Sequence, residues 1–194
     1  MESPSPKPSS EKTNNLSPLK SYQQESVAFL VRKGRALLTD EMGLGKTRVA
    51  LEAAVRRRAY RVFVIAPKFA LGVWESETHK WTNGYYEPIV YTGKPHERQE
   101  IHEVVIKKIL TNERIVVISN VELAHEMPIA PWNLIMADEI HMKIRNRKNQ
   151  AFRKVDALVN PLGRIGPSCY LLSGSPVIRG PQDLWAYLHL LEPK

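Results

Sequence analysis

The sequence predicts an α/β domain: a central, mostly parallel sheet with helices on both faces. Three observations carry this. Short apolar runs recur along the chain and alternate with stretches whose apolar residues fall at helical spacing. Within the runs the apolar residues are continuous, as in strands covered on both sides. The residues hardest to explain by packing lie just past the ends of those runs, where open parallel sheets bind ligands.

Met1 to Pro18 is rich in Pro and Ser with almost nothing to bury, so residues 1–18 are expected to be a disordered tail and 19–194 the domain. Tyr22–Lys33 sets Val27, Ala28, Leu30 and Val31 at helical spacing. Arg35–Thr39 reads as a short buried strand, Lys46–Arg58 as a helix, Arg61–Ala66 as a strand and Phe69–Trp81 as a helix. Pro88–Tyr91 is a strand. His96–Leu110 is a helix with Ile101, Val104, Val105 and Ile109 on one face, and Arg114–Ser119 is a strand. Trp132–Ala137 is a strand ending in Asp138-Glu139. Ala151–Val159, Cys169–Leu172 and Gln182–Leu191 read as helix, strand and helix. No internal repeat at a solenoid period is present.

At 194 residues the chain has room for one well-packed domain. No apolar run approaches the roughly 18 residues of a membrane span, and the N-terminus lacks the apolar core of a secretory signal. A single cysteine, Cys169, cannot form an internal disulfide, which fits a reducing interior. The expected location is intracellular: cytoplasmic for a bacterial or viral protein, nuclear for a eukaryotic one. Lys and Arg number 28 against 20 acidic residues, and a formal net charge of +8 favours polyanionic partners. Arg56, Arg57, Arg58 and Arg61, at a helix end away from the expected ligand edge, read as a solvated face. Lys143, Arg145, Arg147, Lys148, Arg153 and Lys154 carry no acid among them. That second cluster directly follows Asp138-Glu139 and stays open between a solvated face and a surface for DNA or a partner.

Asp40-Glu41-Met42-Gly43-Leu44-Gly45-Lys46-Thr47 follows a strand and opens a helix. Gly43 and Gly45 permit a tight turn that points N–H groups inward to cradle phosphates, and the helix adds its positive N-terminal end. Lys46 would reach the outer phosphates and the Thr47 hydroxyl would ligate magnesium. The generic phosphate loop opens with Gly; here Asp40 stands in that place. Asn133 to Glu139 is the counterpart: a strand delivering two acids at its carboxyl end. Asp138 would hold magnesium and Glu139 would orient and deprotonate the attacking water. An acidic pair after a strand is by itself more often a helix cap or a solvated loop; the loop upstream reverses that reading.

Together these motifs resemble the Swi/Snf family of helicase superfamily two, whose phosphate loop carries Asp where others carry Gly. Asp138-Glu139-Ile140-His141 resembles that family's Asp-Glu-Ala-His box, and Ile144-Arg145-Asn146 its Ile-Lys-Asn. Leu171-Leu172-Ser173-Gly174-Ser175-Pro176 resembles its Leu-Thr-Gly-Thr-Pro, with both hydroxyls kept. Leu190-Leu191-Glu192-Pro193 resembles the helix end that follows. Leu19 to Gln23 resembles the adenine-recognising segment, with Gln23 in the glutamine position. Ala66-Pro67-Lys68 with Trp74 and Glu77, and Ile118 to Leu123, resemble motifs that touch the tracked DNA strand.

The resemblance implies one RecA-like lobe that binds ATP with Mg2+. A second RecA-like lobe, expected in cis or in trans and absent from these residues, would supply arginine fingers. It implies DNA contacts at Pro67, Lys68 and Ser119 that carry little sequence information, so the expected partner is double-stranded DNA gripped largely without sequence preference. His141, Ser173, Gly174 and Ser175 would couple the site to neighbouring motifs. The expected activity is DNA-dependent ATP hydrolysis driving movement along the duplex, weak or absent in the lone lobe. Three other readings remain at this level: another superfamily-two translocase, a nucleotide-gated DNA-binding or adaptor module, and an inherited scaffold.

Overall fold

The computed structural model describes residues 17–127, 132–140, 143, 149–161, 165–177, 180 and 183–193. The expected tail lies outside the described residues except for Ser17 and Pro18, as do His141, the Ile144-Arg145-Asn146 segment, Arg147 and Lys148.

The elements run α1 (Ser21–Lys33), β1 (Arg35–Leu38), α2 (Lys46–Arg56), β2 (Arg61–Ile65), α3 (Leu71–Thr82), β3 (Glu87–Tyr91), α4 (Pro95–Leu110), β4 (Ile115–Ser119), β5 (Leu134–Asp138), α5 (Gln150–Val159), β6 (Ser168–Leu172) and α6 (Leu184–Leu191). All five strand pairings are parallel, and the strand order is β1-β6-β5-β2-β4-β3. The fold is thus the α/β sheet that the sequence predicts.

Strand periodicity divides the core. Val62, Val64, Val116, Ile118, Leu134, Met136, Tyr170 and Leu172 face one way, packed under Val27 and Leu30 of α1, Val49, Ala50 and Ala53 of α2 and Trp74 of α3. Their neighbours Phe63, Ile65, Ile115, Val117, Ile135, Ala137, Cys169 and Leu171 face the other way, against Val105 and Ile109 of α4, Phe152 and Val155 of α5, and Ala186 and Tyr187 of α6. Two apolar faces per strand explain why the runs are continuous. On α4, Val104 is a correction: it is 45% exposed, because the helix seats only a narrow stripe on the sheet while Val105 and Ile109 are buried.

The helix ends follow local chemistry. Gln23 Oε1 accepts from the Lys20 N–H, which starts α1, and Gly34 at φ 71° ends it with its N–H on Leu30 O. Asn149 caps α5 by accepting from Ala151 N at 2.8 Å. A 3-10 turn, Lys68–Ala70, precedes α3 where the sequence suggests continuous helix. The Arg56–Arg61 cluster does more than face water: Arg57 donates to Val31 O at 2.6 Å and to Ser168 Oγ at 2.9 Å, tying the end of α1 to the start of β6.

Arg35, at the first position of β1, gathers the far end of the sheet. Its guanidinium donates to Val159 O at 3.3 Å, Pro167 O at 2.6 Å, Leu191 O at 3.0 Å and Asn160 Oδ1 at 2.7 Å, and also to Leu190 O. These carbonyls are the orphans at the ends of α5 and α6 and before β6. Arg35→Ala leaves them unpaired and is expected to lower unfolding stability by about 3 kcal/mol. Arg35→Lys should recover less than half of this, because an ammonium lacks the planar fork. Urea denaturation followed by circular dichroism reads both; a loss of less than about 1 kcal/mol in Arg35→Ala contradicts the assignment.

Candidate functional site

The strand order brings distant sequence segments together. β6 lies between β1 and β5, so the Asp40–Thr47 loop after β1, Ser173-Gly174-Ser175 after β6 and Asp138-Glu139 after β5 stand side by side on one edge. β2 and β4 continue that edge with Pro67-Lys68 and Ser119-Asn120.

In the loop, Gly43 and Gly45 both adopt φ 82°, a conformation that favours glycine. Gly45 immediately precedes α2, whose first residues are Lys46 and Thr47. Lys46 Nζ donates to Asp40 O at 2.8 Å and Glu41 O at 3.2 Å, which draws the loop around its own ammonium. Gln23 underpins the turn from α1: its Nε2 donates to Leu44 O at 3.1 Å. Ser26 Oγ reaches Asp40 Oδ2 at 3.5 Å. Met42 and Leu44 are exposed.

Glu139 is the most constrained residue of the site. Its backbone N–H donates to Leu172 O at 2.9 Å, extending the β5–β6 pairing past the last residue of β5. It then turns into the left-handed region at φ 46°, where a side chain carries strain. Its carboxylate accepts from Ser173 Oγ at 3.0 Å and from Gly174 N at 2.6 Å. Ser175 N donates to Ser173 Oγ at 3.2 Å. A β carbon on Gly174 would stand 2.9 Å from Met42 Cγ and 3.4 Å from Lys46 Nζ, so this backbone approaches the loop closely. Behind Ser173 lies Tyr187 of α6, 1% exposed, whose pKa burial pushes up to about 12.

Asp138 is half-buried. Burial raises its pKa above the ordinary value; the Trp74 hydrogen bond lowers it, the Glu139 charge adds to the rise, and Lys46 lowers it. Trp74 Nε1 donates to Asp138 Oδ2 at 2.9 Å. Trp74, which lies in the segment that resembles a DNA-touching motif, is 1% exposed and reaches the acid pair. The available signal was chemical: a buried Trp needs a partner for its N–H.

The oxygen donors of Thr47 and Asp138 suit Mg2+, a hard cation that takes few protein ligands and completes its shell with water and phosphate oxygens. Among the described residues no group of three or more His, Cys, Asp or Glu converges as a metal cage.

A cavity of about 690 Å³ adjoins Glu139, bounded by Met42, Pro67, Lys68, Phe69, Val121 and Lys143. On its rim Lys68 and Phe69 are exposed. Ser119 is fully buried at the end of β4, with its hydroxyl on Tyr91 O and Asn120 O at 3.3 Å. The second basic cluster finds its acid in space: Lys143 Nζ pairs with Glu122 Oε1 at 2.9 Å, and Lys154 Nζ donates to Glu122 O at 3.1 Å. Among the described residues, no helix is long and apolar enough to cross a membrane.

The chain is 28% identical over 189 residues to the ISWI chromatin-remodeling complex ATPase CHR11 of Arabidopsis thaliana, covering 91% of this chain and 17% of that protein. It is 30% identical over 200 residues to chromodomain-helicase-DNA-binding protein 6 of Homo sapiens, covering 92% and 7%. It therefore spans only a small part of the relatives it matches. Among solved structures, the Sulfolobus solfataricus SWI2/SNF2 ATPase core in complex with dsDNA matches with a TM-score of 0.74 at 22% identity, covering 94% of this chain and 37% of that one, a likeness of fold. The family model for the SNF2-related domain matches residues 22–194, and the chain belongs to that family.

Proposed function

We propose that the chain is the ATP-binding lobe of a DNA-dependent ATPase, coupling hydrolysis to movement on double-stranded DNA when a second RecA-like lobe faces it. The observation that carries this reading is the convergence, past the ends of β1, β6 and β5, of Lys46, Asp138 and a Glu139 carboxylate held by Ser173 and Gly174. Backbone N–H groups at Gly43–Thr47 and the start of α2 attract the phosphates, and Lys46 exchanges its loop carbonyls for phosphate oxygens. Glu139 orients a water and takes its proton as oxygen bonds to the terminal phosphorus and the bond to the ADP oxygen breaks. Thr47 and Asp138 would hold Mg2+ bound with the nucleotide, which would supply neutralisation of phosphate charge.

Duplex DNA is the proposed track because the Sulfolobus core that shares this fold was solved on dsDNA, and Lys68 is exposed on the same edge as the acids. Contact there is to phosphates and carries little sequence information. An arginine from a second lobe stabilises the transferring phosphoryl group, worth roughly 10³ to 10⁵ in rate in related systems. The 194 residues taken alone are therefore expected to bind Mg-ATP and turn it over slowly.

Turnover and nucleotide binding, measured with and without duplex DNA, test the reading. Lys46→Ala is expected to weaken Mg-ATP binding about 10- to 100-fold, the worth of one or two charged hydrogen bonds. Glu139→Gln should keep binding while slowing any turnover about 10²- to 10⁴-fold. Binding indifferent to Lys46→Ala would sink the nucleotide site. Turnover that survives Glu139→Gln would remove Glu139 as the base. Persistent DNA binding with no response to nucleotide would favour an adaptor module.

Gly45 gives an independent check on the loop. At φ 82° an added β carbon is strained, and it would stand 2.7 Å from Gln23 Nε2, the atom that donates to Leu44 O and would have to shift. Gly45→Ala should cost about 1–3 kcal/mol of local strain and weaken nucleotide binding about tenfold or more. Unchanged affinity by calorimetry contradicts a role for this turn. For DNA, Lys68→Ala should weaken binding equally across duplex sequences and reduce the salt slope by about 1. An unaltered slope, measured from 50 to 200 mM salt as in a typical titration, would place the contact elsewhere.

A further inference from the structure

We propose that Trp74 is a positioning residue for Asp138, fixing the carboxylate in the orientation that holds the nucleotide's magnesium. The inference rests on the reading of Asp138 as a metal ligand and deepens it.

Trp74 sits in α3, 64 residues from Asp138 in sequence, at 1% exposure. Its large ring is wedged in the core under the sheet, so the indole has little freedom to choose another direction. A buried indole N–H could be satisfied by a backbone carbonyl, as Thr78 and Thr82 on the same helix satisfy their hydroxyls on Trp74 O and Thr78 O. Trp74 instead donates to Oδ2 of a carboxylate at the carboxyl end of a central strand. Engagement of Oδ2 sets the side-chain torsion and leaves Oδ1 as the ligating oxygen. A ligating carboxylate is itself hydrogen-bonded as a rule, and loss of that outer partner costs roughly 10- to 100-fold in metal affinity or activity. The rest of Asp138's surroundings do not do this work: Glu139 turns its carboxylate to Ser173 and Gly174, and Lys46 donates to loop carbonyls.

The test uses the 194-residue chain and a fluorescent ATP analogue, with Mg2+ titrated at fixed nucleotide. Trp74→Phe keeps an aromatic ring in the core and removes only the donor and part of the volume. Its Mg2+ midpoint is expected to rise about 10- to 100-fold, while nucleotide binding without Mg2+ stays within about twofold of wild type. A packing defect would instead move both. Asp138→Asn, run alongside, should raise the midpoint at least as far. A wild-type midpoint in Trp74→Phe beside a raised one in Asp138→Asn overturns the proposal. A midpoint unmoved in Asp138→Asn overturns it too, and locates the failure in the metal-site reading. Should Trp74→Phe fail to fold, indole N–H resonances of the wild-type chain decide. With Trp81, Trp132 and Trp185 assigned by single Phe substitutions, the remaining indole should exchange slowly and shift when Mg2+ is added to the nucleotide complex. An indole that does not move on Mg2+ addition overturns the proposal.

Discussion

The junction between the ends of β5 and β6 is the constraint on which the site depends. Glu139 N–H bonds to Leu172 O, and the Glu139 carboxylate then receives Ser173 Oγ and Gly174 N–H. The chain must turn sharply to make both contacts, and it does so at φ 46° on a non-glycine residue. That conformation costs about 1–3 kcal/mol, which charge-assisted hydrogen bonds to a carboxylate are strong enough to offset. The strain and the bonds are two sides of one arrangement. Without the strand pairing nothing would hold the turn, and without the turn the carboxylate would not meet Ser173 and Gly174.

That junction exists only because β6 inserts between β1 and β5. The insertion brings the last strand of the chain beside the first, and Arg35 secures it at the opposite end by gathering the carbonyls before β6 and at the ends of α5 and α6. One short strand, β1, is thus held at its start by a guanidinium and opens at its end into the glycine loop. Long-range closure is what sets three separate loops side by side: each is made locally, but their adjacency is a property of the strand order.

This explains what was legible in the sequence. Continuous apolar runs announced a sheet covered on both faces, and nearly every strand falls where its run does. Gly43, Gly45 and Lys46 were legible because their chemistry is local: a strand, a turn needing positive φ, a helix start. Asp138-Glu139 were legible for the same reason. Strand order was not, since nothing in the run of residues says that β6 pairs with β1 and β5. A hydroxyl at a strand end reads the same whether it faces solvent or the neighbouring strand; that of Ser119 meets Tyr91 O. Val104 was misjudged because helical spacing alone does not give the width of the contact stripe. The basic cluster after Asp138-Glu139 looked unopposed because its acid, Glu122, arrives from another segment.

Trp74 carries that point furthest. In sequence it follows Pro67-Lys68 closely and invites grouping with them; in space its helix splits those roles. The turn at the start of the segment leaves Lys68 at the surface, while Trp74, further along the same segment, has its ring in the core and its N–H on Asp138. Burial works against the charge on Asp138, and the Trp74 hydrogen bond and Lys46 work for it. Burial outweighs them, so the charge is held less well than in water, while the hydrogen bond from Trp74 fixes the direction of the carboxylate. The exposed Lys68 and the buried partner of Asp138 thus come from one short segment, set apart by the 3-10 turn between them.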